Sequence, residues 1–403
     1  MPSSPALDVY ADDRLAGALA RSQIEDDAFL FGYAPDCREE DAVSLTMPVV
    51  RDQYDSMNGL LPIFEMNLPE GALLERLRMQ FAKLIPNFDS LGLLGIVGQS
   101  QIGRLRYATS GTVPAVIPEQ NLSALLTYAG AEDLFADLLR RYAEHSGISG
   151  IQPKVLVREG VPSRLSHRAA THVVKSFDPR EYPELAANEF FCTRAALHAG
   201  ISVPTLRLSD NRRILVAERF DLRPDGTYLG CEDFCVLNGL RAHGRYTGSY
   251  EGIAERIAQF VSLENQREAF GQFFATVALC CAIGNGDAHL KNFAVLYENP
   301  ETPVRLAPSY DLVCTTLYQA RDVLALTLAE SKSFPDRKRL INFAHTACNL
   351  KASTTIDLLN RVVAGVKRTI KDVRRFAKRH PDFAPAGARL IAAFECGAAR
   401  VEG

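Results

Sequence analysis

The spacing of apolar residues changes along this chain. Short apolar runs at Leu7–Tyr10, Leu15–Ala18, Phe29–Tyr33, Val43–Met47 and Leu61–Glu65, divided by turn-rich polar sequence, each predict a strand. Then Leu73, Leu74, Leu77, Met79, Phe81 and Leu84 fall mainly on helical spacing, with Pro69-Glu70-Gly71 leading in. Gly103–Tyr107 predicts a closing strand, and Ser110–Gln120, carrying two prolines and a glycine, a linker. Leu122–Glu144 predicts one or two helices. KVLVRE (Lys154–Glu159) and HVVKSF (His172–Phe177) predict strands, and Pro183–Ala199 a helix. VPTLRLSD and RRILVAERFD predict two more strands. From Asp233 to Ile283 the period is helical, including Tyr250–Leu263 and Glu268–Ile283, and helices return from Asp336 to the end. A β-rich half followed by a helical half predicts an α+β chain.

The stretch Ala282–Thr315 interrupts the helical half. GNGDAHLKNF (Gly284–Phe293) leads into an apolar run to Tyr297, a polar turn at Glu298–Pro303, and a second run at Val304–Leu306, which together predict a β-hairpin. In an antiparallel hairpin the start of one strand lies beside the end of the other, so Asn292 and Asp311 are expected to converge. Asp287 and Asn292 stand at the D-x-x-x-x-N spacing of a kinase catalytic loop, where the aspartate receives a hydroxyl proton and the asparagine holds magnesium. Asn292 and Asp311 are oxygen donors of the kind that bind magnesium together with phosphates. Taken singly, each of these residues is equally a turn former or loop cap.

Three stretches upstream suit a nucleotide. SGISGIQP (Ser146–Pro153), two glycines and hydroxyls before a strand, is either a plain turn or a nest of backbone N–H groups for an anion. Lys175 shares one face of its strand with Val173 and Phe177, and is balanced by a phosphate or snorkels to solvent. Glu189, on the next helix, either pairs with Lys175 or is solvated. Ala217–Phe220 closes a strand where a two-lobed kinase has its adenine-binding hinge.

Composition narrows the classes. At 403 residues the chain exceeds one ordinary core, and 47% hydrophobic with 23% charged residues is an ordinary globular balance. A formal net charge of -3 gives no global pull toward nucleic acid or an acidic membrane. One local exception is Arg361–His380. There Val366, Ile370, Val373 and Ala377 form a stripe ringed by Arg361, Lys367, Arg368, Lys371, Arg374, Arg375, Lys378 and Arg379. This is either the soluble face of a packed helix or a contact for nucleic acid or acidic protein. The longest apolar run, Phe273–Ile283, falls short of a membrane span, and MPSSPALDVYADD has no signal-peptide pattern, so a cytosolic protein is expected. Nine scattered cysteines suggest reduced, buried thiols, and the eight histidines have no G-x-S-x-G elbow to serve.

SGISGIQPK, HVVKSF with Asn188-Glu189, AERFD (Ala217–Asp221), GNGDAHLKNF and APSYDL together resemble the HipA family, the serine/threonine kinase toxins of bacterial type II toxin–antitoxin systems. The resemblance implies a two-lobed protein-kinase-like fold with an N-terminal subdomain over residues 1–110, a nucleotide lobe over 111–222 and a helical lobe over 223–403. It makes Asp287 the catalytic base, Asn292 and Asp311 the magnesium ligands, and Lys175 the ATP-phosphate lysine. Glu218, Arg219 and Phe220 become the hinge. Ser149, Gly150, Ile151, Gln152, Pro153 and Lys154 become the nucleotide-side loop, and His289 and Tyr310 line the nucleotide pocket. Expected partners are a HipB-like helix-turn-helix antitoxin, operator DNA mainly through that antitoxin, and an aminoacyl-tRNA synthetase as substrate, with no membrane. Family members commonly carry a serine that phosphorylates itself where this chain has Gly147. Ser149, with Ser146 as the other hydroxyl, is the expected acceptor. Two rival readings are a catalytically inert co-repressor acting through the Arg361–His380 face and a kinase of small molecules.

Overall fold

A computed structural model describes residues 6–22, 28–50, 53–81, 89–98, 100–109, 119–128, 137–138, 141, 154–159, 170–177 and 180–403. Contacts divide the chain into two compact units. One comprises Met1–Ser176, Ser209–His243 and Val295–Val304, and the other Phe177–Leu208, Gly244–Ala294 and Arg305–Gly403.

The first unit opens with five strands, β1 (Leu7–Ala11), β2 (Arg14–Arg21), β3 (Phe29–Tyr33), β4 (Gln53–Ser56) and β5 (Leu105–Thr109), in the order β4-β3-β2-β1-β5 with every pair antiparallel. Alternation along β1 sends Leu7, Val9 and Ala11 into a core with Phe31, Phe64 and Tyr107. The Phe31 and Phe64 rings lie 5.2 Å apart, and Phe64 and Tyr107 6.0 Å apart. The expected helix is present as Gly71–Phe81; Leu84 lies outside the described residues.

Two expected strands are something else. Leu61–Glu65 becomes the short helix Pro62–Glu65, because Pro62 has no N–H to give a ladder and its fixed φ suits a first helical turn. Val43–Met47 is a turn, closed by an isolated bridge between Ser44 and Met47. Its donors go elsewhere: the Ser44 hydroxyl accepts from Thr46 N–H at 3.1 Å, and Leu45 N–H donates to the buried Glu232 carboxylate at 2.8 Å. The polar edge strand β4 and the helix Ser90–Val97 carry no pattern that the sequence reading used.

A second core in this unit gathers Leu122, Leu125, Val155, Val157, Val174, Ile214 and Val216. Its strands Lys154–Glu159, His172–Ser176 and Ile214–Glu218 pair antiparallel, while Glu119–Gln120 runs parallel to Arg158–Glu159.

The second unit is helical: Leu185–Ala199, Tyr250–Phe260, Leu263–Ile283, Arg337–Thr346, Ala352–Arg379 and Ala384–Glu402. Ala352–Arg379 packs so closely on Leu185–Ala199 that a Cβ at Gly365 would overlap the Ala199 nitrogen and the Ala195 carbonyl. Phe191, Phe376 and Phe383 interlock beside that crossing, with ring centroids 5.2 to 5.9 Å apart. Val366, Ile370 and Val373 are buried as the apolar stripe predicts. Around them, Lys367 pairs with Glu402 and Arg374 with Glu395, both at 2.7 Å, so part of the basic ring is neutralised within the unit. Among the described residues no helix is long and apolar enough to cross a membrane.

Candidate active site

Helix Leu263–Ile283 stops at Gly284, whose φ of 69° places it in the left-handed region that glycine tolerates best. The chain then turns back on a set of side-chain bonds. Asn285, almost fully buried, accepts the Asp287 N–H through Oδ1 at 2.9 Å, while its own N–H donates to the Cys280 carbonyl at 2.8 Å. The Thr315 hydroxyl accepts from Gly286 N–H at 2.7 Å and donates to the Gly284 carbonyl at 3.1 Å. Gly286 is required by close approach, since a Cβ there would overlap the Asp322 carboxylate and the Val323 carbonyl. Beneath the loop, Tyr250 donates to the Ala288 carbonyl at 3.0 Å, and the Tyr250 and Phe273 rings pack edge-on against Phe293.

Asp287 is thereby left as the one exposed residue between Cys281 and Leu290. Its Oδ1 accepts a hydrogen bond from the Tyr246 hydroxyl at 2.8 Å. Desolvation pushes its carboxyl above the usual aspartate range, the Tyr246 bond works the other way, and the Asp311 and Asp322 carboxylates add to the rise. His289, two residues on, is held down to about 4 by burial, with the positive charges of Arg245 and Lys291 reinforcing it against Asp311. It is a neutral imidazole near pH 7.

The next residues make one short helical turn, Leu290–Asn292, in which Asn292 Oδ1 accepts from His289 N–H at 3.1 Å. The hairpin follows, with strands Ala294–Tyr297 and Arg305–Leu306. Two bonds lay its returning end beside the loop: Ala307 N–H to the Ala294 carbonyl, and the Tyr310 hydroxyl to the Lys291 carbonyl, each 2.8 Å. Gln272 and Thr276 of the long helix fasten the same segment, through the Ala307 carbonyl at 2.6 Å and the Ser309 hydroxyl at 2.7 Å. Asp311 then takes φ 52°, a conformation costing a non-glycine residue on the order of 1 kcal/mol. The Asp311 charge reaches both Asp287 and His289. Asp287, His289, Asn292, Tyr310 and Asp311 are thus gathered at one place, as the hairpin argument expects.

Asn292 and Asp311 offer an amide oxygen and a carboxylate. Among the described residues no cluster of three or more His, Cys, Asp or Glu side chains could hold an ion alone. Such a sparse oxygen set fits magnesium, which shares its shell with phosphates and water.

In the first unit, strand register puts Lys154 directly opposite Lys175. Both lysines are buried, on the face of the strands away from Val155 and Val174. Glu218 is exposed at the end of its strand and Phe220 is half-buried. Between them Arg219 turns inward: its N–H donates to the Thr171 carbonyl at 3.0 Å, and its guanidinium grips Asp221 with two bonds of 2.9 and 2.6 Å and lies 4.0 Å from the Tyr228 ring centroid. Burial opposes ionisation of Asp221, yet the guanidinium holds its carboxyl below the usual range. The Arg219 side chain is therefore committed to the structure of its own unit. Glu189 is buried in its helix. Ser146, Ser149, Gly150, Ile151, Gln152 and Pro153 lie outside the described residues.

Sequence reading passed over Asn285, Thr315, Tyr246 and Tyr250. Asn285 carried a signal, being an asparagine between glycines two residues before an aspartate, the pattern of a side chain capping a turn. The other three are distant in sequence and had none.

Residues 146–370 match the HipA-like C-terminal domain and residues 7–108 the HipA N-terminal domain. Two kinase-named proteins of Sinorhizobium fredii (strain NBRC 101917 / NGR234) are relatives. Y4mE is 26% identical over 339 residues, covering 77% of this chain and 78% of the relative. Y4dM is 26% identical over 238 residues, covering 55% of this chain and only 56% of its own length. A chain of the Shewanella oneidensis MR-1 toxin–antitoxin system HipA, HipB and operator DNA complex shares the fold, with a TM-score of 0.69 and 19% identity over 98% of both chains. With an α+β fold of this kind and both domains matched in order, the chain belongs to the HipA family.

Proposed function

We propose that this protein is a magnesium- and ATP-dependent serine/threonine protein kinase, the toxin of a toxin–antitoxin pair, acting on an aminoacyl-tRNA synthetase. The observation that carries the reading is the fastened loop from Gly284 to Asn292, which presents an exposed Asp287 within electrostatic reach of Asp311. The kinase names of its relatives support the activity, and the complex solved for the Shewanella protein supports a HipB-like antitoxin and operator DNA as partners.

In this reading Asp287 bonds the acceptor hydroxyl and takes its proton as the oxygen attacks the γ-phosphorus. The new oxygen–phosphorus bond forms as the bond to the β–γ bridging oxygen breaks, and ADP leaves. A carboxyl raised by desolvation is a better-matched base than an ordinary aspartate. Magnesium, when bound, neutralises phosphate charge. Asn292 and Asp311 would hold it, and Lys175 with Lys154 opposite would meet the phosphates. Neutral His289 and the Tyr310 ring would flank the nucleotide, and backbone groups of Glu218–Phe220 other than the Arg219 N–H, which is taken by the Thr171 carbonyl, would receive the base. Ser149 is the proposed site of self-phosphorylation.

The test is Asp287→Asn with radiolabelled ATP and a panel of purified synthetases. Removing a general base costs about 10²- to 10⁴-fold, so transfer should fall by that factor while ATP affinity by calorimetry stays within about threefold. Full transfer by this variant would reject the assignment.

A further inference from the structure

The Tyr246 hydroxyl makes a bond that nothing in the loop's architecture requires. The loop is held from elsewhere: Asn285 on the Asp287 N–H, Thr315 on Gly286 and Tyr250 on Ala288. Tyr246 instead meets the carboxylate itself, donating to Asp287 Oδ1 at 2.8 Å. That is the donor, the acceptor and the length of the bond a substrate hydroxyl must make with its general base before it attacks. The tyrosine is 46% exposed and closes the short turn Ala242–Tyr246, its ring edge-on to His289 at 5.0 Å. Two residues on, Gly248 has φ 105° and open space where a Cβ would stand.

We propose that Tyr246 is an acceptor mimic: its hydroxyl occupies the place at Asp287 that a substrate hydroxyl must take, and the acceptor enters only when Tyr246 turns aside. The inference rests on the kinase reading of Asp287. It adds a residue of the acceptor site that competes with the substrate, and so sets how readily any hydroxyl is accepted. A serine or threonine on a protein segment, which brings further contacts of its own, can displace the phenol. Water, with no such contacts, competes poorly, and the mimic thereby suppresses hydrolysis of ATP.

The experiment uses the full chain with ATP and magnesium, dephosphorylated casein as the protein acceptor, and water as the acceptor in its absence. Tyr246→Phe keeps the ring against His289 and removes the hydroxyl that bonds Asp287. Its kcat/KM for casein should rise about tenfold, the factor a hydrogen bond to a charged group is worth, chiefly through a lower KM. ADP release without casein should rise as well, and the KM for ATP should be unchanged. If Tyr246→Phe leaves both rates unchanged or lowers them, while Asp287→Asn abolishes them, the mimic is overturned and the base assignment stands. If Asp287→Asn retains transfer, or the native protein transfers phosphate to neither acceptor, the kinase reading of the site falls and the mimic with it.

Discussion

Two regions of this protein carry the charged side chains of the proposed kinase site, and they are built by opposite means. In the loop from Gly284 to Asn292 polar side chains do the shaping: Asn285, Thr315 and Asn292 bond backbone groups that no helix or strand satisfies. In the strand pair of Lys154–Glu159 and His172–Ser176, ordinary ladder bonds do the shaping and register alone sets Lys154 opposite Lys175. A loop of the first kind writes itself into the sequence as an unusual run of Gly, Asn and Asp. A strand pair of the second kind leaves only apolar alternation with two lysines in it.

The contrast can be broken by substitution. Lys175→Met should have the largest effect in the strand pair, weakening ATP binding about 10- to 100-fold by calorimetry, as expected for a charge-assisted bond to phosphate. Lys154→Met should weaken the same binding. If it leaves the affinity untouched, the facing pair does not act on one ligand.

A pH titration probes the loop next. His289 is held down to about 4 in the folded chain, below the ordinary 6.5, so between those values the unfolded state binds the extra proton. Its contribution to stability is therefore complete above pH 6.5, falls as pH drops toward 4, and levels off below, for a loss of roughly 3 kcal/mol. Urea unfolding of the magnesium-free protein at pH 7 and pH 4.5 should show this drop, and His289→Gln should remove most of that part of it.

Asn285→Ala has the smallest expected effect. It strips the part-buried Asp287 N–H of its acceptor, at about 0.5–1.5 kcal/mol of stability, the net worth of an ordinary hydrogen bond. With Asp287 less well aimed, kcat should fall while the KM for ATP holds. A fall in stability with kcat unchanged would mean that Asn285 serves the fold and not the aim of the base.

How much was legible follows the same division. The long helices and the hairpin at 294–306 read correctly, because periodicity and turn chemistry are local. Pro62 and the turn at Ser44 defeated the strand reading: what decided them was a missing N–H in one case, and in the other the Glu232 carboxylate, which is remote in sequence. The direction of the Arg219 side chain was equally hidden, since its partners are Asp221, the Gln101 carbonyl and the Tyr228 ring.

By itself, the sequence determined the order of the elements, the family, and the return of the segment after the hairpin to the loop before it, since a hairpin joins its ends whatever surrounds it. Only the tertiary structure decided that Lys154 faces Lys175, that Asp311 sits at positive φ, and that Tyr246 reaches across to Asp287. Register, backbone strain and long-range hydrogen bonds depend on where distant segments meet, and no spacing along a chain encodes that meeting directly.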